Sequence, residues 1–215
     1  MILDLEKEYK GRVEEIWTKQ RAEHPETNNA DVVKLGYAIE RQLLIEDVLF
    51  LGMNPSYKPG QWNHDCGGFY DVKPGNNYFK AIIEFSQDTI GRTNPSHHDV
   101  LFIRHTDQKD VLKYLKADEY REFIFQQLLL SREIIQAAEP KLIVVLNAAV
   151  REIFQWLFPF DWESDYDKEI GAHMVTIEKK VPVLFSGMLS GQRALDIGSK
   201  RALKWHIQYI LDVIK

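Results

Sequence analysis

The chain has 215 residues, 45% of them hydrophobic and 27% charged, with 27 basic and 32 acidic residues giving a formal net charge of −5. That is ordinary for a soluble globular protein with one sizeable core, and it argues against nucleic-acid binding by bulk attraction. The single cysteine, Cys66, excludes a disulfide framework and any four-cysteine metal or iron–sulfur site built within the chain. His97-His98-Asp99, with His64 and Cys66, lack the spacing of a known metal site, so no metal or cofactor is expected, and a reducing, cytoplasmic setting follows by default.

The N-terminus carries acid (Asp4, Glu6) where a secretory signal carries base, so no targeting segment is expected. Leu5, Tyr9, Val13 and Ile16 then recur at helical spacing and predict a first amphipathic helix. An apolar run at residues 47–51 predicts a strand covered on both faces, ending in Gly52-Met53-Asn54-Pro55-Ser56. Phe69 follows in a glycine-flanked loop, and Phe79, Ile82 and Ile83 mark the next helix. A second buried strand is expected at 100–103, leaving His97-His98-Asp99 in a solvated loop. Tyr120, Ile124, Leu128 and Ile135 predict a long helix before a third strand at 142–146. Residues 173–177 suggest a short antiparallel strand ahead of a fourth at 181–185, and Leu203, Ile207, Ile210, Leu211 and Ile214 a closing helix that Ser199 would cap. None of the apolar runs is long enough to cross a membrane.

Strands alternating with helices imply one α/β domain over residues 1–215, with a central, mostly parallel four-stranded sheet in a three-layer α/β/α sandwich. Ligands in such sheets sit beyond the C-terminal ends of the strands. Asn54 follows one such end, Arg104-His105 and Asn147 follow two more, and Ser186-Gly187-Met188-Leu189-Ser190-Gly191 follows the last. Gly52 permits close backbone approach and Pro55 fixes the turn, so Asn54 can offer a carbonyl acceptor and an amide donor to a bound group. The same Asn-Pro pair also serves simply to close a turn. Charge is segregated too. From 191 to 208, Arg193, Lys200, Arg201 and Lys204 face only Asp196, whereas five acids stand against one lysine between 161 and 169. Those alternating acids lack the sixth-position glycine and closing glutamate of a calcium loop.

Gly52-Met53-Asn54-Pro55, Phe69 and Pro74-Gly75-Asn76-Asn77-Tyr78-Phe79-Lys80 together resemble the uracil-DNA glycosylase superfamily, most closely its mismatch-specific and single-strand-selective branches. Ser56 takes the place of a family glycine, and residues 139–154 are similar to the third strand and following helix. The resemblance implies a monofunctional DNA glycosylase of base excision repair, a monomer that flips uracil or a related base out of single- or double-stranded DNA. Asn54 would hold the attacking water, and Phe69 would stack on the base. Gly52, Met53, Pro55, Ser56, Tyr57 and Arg104 would line the substrate site. Ser186 falls in the catalytic second motif, where the family has His or Asn, with Phe185 as the other alignment. Leu189-Ser190 matches the end of that motif, and Ser190, Gln192, Arg193, Lys200 and Arg201 would contact the DNA. Neither Phe185 nor Ser186 can do the work of an imidazole. Two alternatives stay open: a catalytically weak or inactive nucleic-acid or nucleobase-binding module, and a hydrolase of small nucleotides.

Overall fold

A computed structural model describes residues 1–57, 68–73, 75, 77–191 and 194–214. The elements in chain order are β1 (Ile2–Asp4), α1 (Leu5–Glu23), α2 (Asp31–Lys34), β2 (Ala38–Glu40), β3 (Gln42–Leu44), β4 (Val48–Gly52), β5 (Gly68–Tyr70), α3 (Asn77–Ile90), β6 (Ser96–Asp99), α4 (Gln108–Tyr114), α5 (Arg121–Ala138), β7 (Leu142–Val145), α6 (Ala148–Leu157), β8 (Tyr166–Asp167), β9 (Ala172–Thr176), β10 (Lys180–Phe185) and α7 (Ile197–Val213). The architecture is mixed α/β, organised on a six-stranded sheet of order β6-β4-β7-β10-β9-β8. Its first four strands run parallel, and β9 and β8 extend it in antiparallel pairing. Two small sheets, β1-β3 and β2-β5, stand apart from it.

Residue alternation along the strands explains why their sequences are apolar without interruption. Leu49, Leu51, Ile143, Val145 and Val183 enter a core with Val13 and Trp17 of α1, Phe123 and Ile124 of α5 and Phe154 of α6. Val48, Phe50, Leu142, Val144 and Leu184 point the other way, into a core with Phe79 and Ile82 of α3 and Ile207 and Ile210 of α7. Helices therefore cover both faces of the sheet, so neither side of a parallel strand needs polar residues. None of the helices is long and apolar enough to cross a membrane, among the described residues.

Several expectations need correction. The sheet has six strands rather than four, because β8, too short for a periodic signal, pairs with β9. The strand expected at 100–103 lies at Ser96–Asp99, where it pairs residue for residue with Leu49–Gly52 of β4. His97 and His98 are thus fully buried in the sheet and Asp99 nearly so, not in a solvated loop. Buried partners meet His98 at both ring nitrogens and His97 at Nε2, and a hydropathy pattern does not see such partners. Residues 100–103 are also buried, but only Ile103 bridges, to Tyr37. Phe69, expected in a loop, lies in β5 opposite Ile39. Helix α7 is capped by Asp196, not Ser199. The Asp196 carboxylate accepts the Ser199 N–H at 2.9 Å, and the Ser199 hydroxyl donates to its other oxygen at 2.7 Å. A carboxylate at that position also suits the positive end of the helix dipole.

Candidate functional site

The sheet winds in both directions from β4. One parallel crossover, through α3, leads to β6 on one flank, and the next, through α4 and α5, leads to β7 on the other. Since α3 and α5 belong to opposite cores, the winding reverses between β4 and β7. In doubly wound sheets that reversal opens a crevice at the strand C-termini. Asn54 lies two residues beyond the end of β4, one of the two strands that border that reversal.

Its side chain is fixed by the backbone. The Asn54 Nδ2 donates to the carbonyl oxygens of Pro55 (3.1 Å), Ile103 (3.3 Å) and His105 (2.8 Å). Three acceptors around one end of the amide require the NH₂ there, so its orientation is determined by chemistry. The other end, Oδ1, is buried and has no hydrogen-bond partner among the described residues. Leaving an acceptor buried and unsatisfied costs about 1–3 kcal/mol, a cost met most often where a ligand or water supplies the partner. Trp17 Nε1, Ser86 Oγ and His97 Nδ1 are also buried without partners among the described residues. Asn54 differs from them in following a strand C-terminus with its donors already engaged.

Gly52 explains how the strand end can be so crowded. A Cβ at this position would lie 2.1 Å from Asp99 Oδ1, 2.8 Å from the Tyr78 hydroxyl and 3.1 Å from His97 Nε2. Only glycine lets these three groups close on the backbone. They belong to a larger buried polar assembly. His98 Nδ1 hydrogen-bonds Glu40, and its Nε2 meets Ser131 Oγ at 2.9 Å. Tyr70 donates to Glu40 at 3.4 Å, and Tyr78 shares a 3.0 Å hydrogen bond with His97. Burial lowers the pKa of His97 from 6.5 to about 4, with a smaller opposing effect from Glu40. Burial also pushes Asp99 well above the carboxylate range, reinforced by the charge of Glu40. Ser131, His98 and Glu40 line up as a hydroxyl, an imidazole and a carboxylate, but all three are sealed in the interior. The arrangement holds β6, β2 and α5 together and exposes no nucleophile.

The remaining residues expected at the site are dispersed. Met53 is a core residue and Pro55 is buried, while Ser56 is exposed. Arg104 is buried, donates to the Leu35 carbonyl at 2.9 Å and lies 5.0 Å from the centre of the Tyr57 ring. Phe69 packs edge-on against Tyr37 at 6.0 Å and borders a hollow of about 510 Å³ beside α1. Asn54 is not among the residues lining it. Ser186 lines a different hollow of about 450 Å³, with Arg151 of α6 and Ser199 and His206 of α7. Phe185 is stacked on Phe160 at 5.6 Å. Asn147 caps α6 by accepting the Ala149 N–H at 2.9 Å. Lys200 and Arg201 line a third hollow, of about 350 Å³, between α3 and α7, and Ser190 is half-buried in the segment that leads from β10 toward α7. Gln192, Arg193, His64, Cys66, Pro74 and Asn76 lie outside the described residues. No grouping of three or more potential metal ligands occurs among the described residues. Sequence reasoning missed Glu40, Tyr70 and Ser131, which sit alone in their segments with no local pattern to mark them.

Compared with known proteins, the chain matches no protein-family model and no curated protein sequence.

Proposed function

We propose that the chain is a glycosylase of the uracil-DNA glycosylase type, which hydrolyses the bond between a deoxyribose and uracil or a related damaged base. The observation that carries this reading is the Asn54 amide, anchored through its NH₂ by three carbonyls and left with one buried, unspent acceptor. An acceptor of that kind orients a water without being basic enough to take its proton early, which suits a reaction whose sugar becomes cation-like before water adds. A mismatched or unpaired base costs least to extrude and is the expected substrate. The parallel strands flanked by helices on both faces fit the three-layer sandwich of that superfamily. Phe69 and Ser186 border separate hollows, so the reading rests on Asn54 rather than on a converged constellation.

A second reading, a nucleic-acid-binding module without chemistry, is favoured by one feature. Positions 185 and 186 supply a packed phenylalanine and a serine where a base-stabilising imidazole would serve. Loss of one such donor typically lowers turnover about 10²–10³-fold. A panel of single- and double-stranded oligonucleotides carrying uracil, hypoxanthine or a thymine mismatch, followed by hot alkali, separates the readings. Alkali-labile sites that disappear in Asn54→Ala support the glycosylase. Binding with no cleavage of any substrate supports the module. Turnover of free nucleosides with no salt-sensitive DNA affinity supports a small-nucleotide hydrolase instead.

A further inference from the structure

Helix α7 carries three cations, Lys200, Arg201 and Lys204, against one acid, Asp212, on a chain whose net charge is −5. Hollows flank its first half on both sides. The one between α3 and α7 is lined by Lys200 and Arg201, and the one beyond the end of β10 by Arg151 and Ser186. The charge of Lys204 is spent on Asp88 at 2.7 Å, and Glu84, which also borders the first hollow, lies 3.8 Å from Lys80. Lys200, Arg201 and Arg151 have no carboxylate partner among the described residues. Arg151 is nonetheless held in place, its guanidinium 5.8 Å from the Trp162 ring centre and 5.7 Å from that of Phe185. Cation–π contacts of this kind position the group while leaving its N–H donors available.

Trp205 follows Arg201 by about one turn of α7 and is next to His206. It is 64% exposed, and its ring is stacked on that of Tyr209, one turn further along α7, at 5.4 Å and 7°. The neighbouring His206 lines the hollow that contains Arg151. A rigid exposed aromatic face flanked on either side by unpaired cations matches the alternating base and phosphate chemistry of an unpaired strand. A duplex keeps its bases stacked inside and offers none to such a ring.

We propose that a single strand of nucleic acid crosses α7, stacking a base on Trp205 and placing backbone phosphates against Arg151 on one side and Arg201 on the other. This rests on the nucleic-acid reading above for the class of ligand and does not depend on any cleavage chemistry. The test is fluorescence anisotropy of a labelled oligothymidylate across a salt series, with the full chain and its Trp205→Ala, Arg151→Ala and Arg201→Ala variants. Trp205→Ala should weaken binding roughly ten-fold or more, with Trp205→Phe close to the original protein. Each arginine variant should lower affinity several-fold and reduce the slope of log affinity against log salt by about 0.7. These side chains are exposed or unpaired, so unchanged thermal melts should accompany the losses. The proposal is overturned if the oligothymidylate does not bind at low salt, or if all three alanine variants stay within about two-fold of the original protein. It is equally overturned if Trp205→Ala abolishes self-association while oligonucleotide affinity holds, since the face then belongs to a second copy of the chain. Binding that survives without any base excision would sink the catalytic reading and leave this surface standing.

Discussion

The C-terminal edge of the parallel strands has two ends that solve different problems. At the β4–β6 end, Glu40, Tyr70, His97, His98 and Asp99 are buried, and Asp99, Tyr78 and His97 close on Gly52. At the β10–α7 end, Arg151, Lys200, Arg201 and Trp205 border open hollows or solvent. Buried polar groups in mutual contact fix one geometry and tolerate little change, because any member left alone bears its full desolvation cost. Exposed charges contribute little to folding and remain free for a partner. The Asn54 turn is thus backed by a rigid interior, while the exposed cations lie on a surface that can change without unfolding the protein.

Substitutions should separate the two ends sharply. Gly52→Ala should have the largest effect, because its methyl would meet the buried Asp99 carboxyl at 2.1 Å. A loss of about 3 kcal/mol or more, or no folded protein, is expected in denaturant titrations. Acid should act next. The pKa of His97 falls from 6.5 to about 4 on folding, so its contribution is complete above 6.5 and lost as pH falls toward 4. That amounts to something on the order of 3 kcal/mol, and His97→Gln should remove this part of the acid sensitivity in pH-dependent melts.

Asp99 works in the opposite sense. Its raised pKa favours the native state at low pH and disfavours it as pH rises above the ordinary carboxylate value. Asp99→Asn should therefore be neutral or stabilising at pH 7, although the position is almost wholly buried. Asn54→Ala removes donors from three backbone carbonyls and should cost about 1–3 kcal/mol. Arg201→Ala, at the other end, should stay within about 0.5 kcal/mol of the original stability. A large folding defect in Arg201→Ala, or none in Gly52→Ala, would break the contrast.

The same contrast marks what the sequence could reveal. Strands β4, β7 and β10 were legible because burial on both faces leaves an unbroken apolar run, and β9 was expected as a short antiparallel strand ahead of β10. Strand β6 was not, since Ser-His-His-Asp reads as a loop until Glu40, Ser131 and Tyr78 are known to receive its side chains. Those partners lie between 19 and 58 residues away, beyond the reach of any local pattern. Asn54 was legible as a strand-end residue next to a proline, but its anchoring by carbonyls at 103 and 105 depends on tertiary contact. Arg151 and Trp205 had no signal at all, because an exposed cation and an exposed aromatic at helical spacing read as an ordinary solvated face.

The central claim is that Asn54 aims its free oxygen at an attacking water. Single-turnover excision from a uracil-containing single strand, compared between the original protein and Asn54→Ala under conditions where both are folded and bound to the oligonucleotide, tests it most directly. The expected result is excision by the original protein and a fall of at least about 100-fold in the variant, with oligonucleotide affinity unchanged. Equal excision rates in the two proteins would contradict the claim.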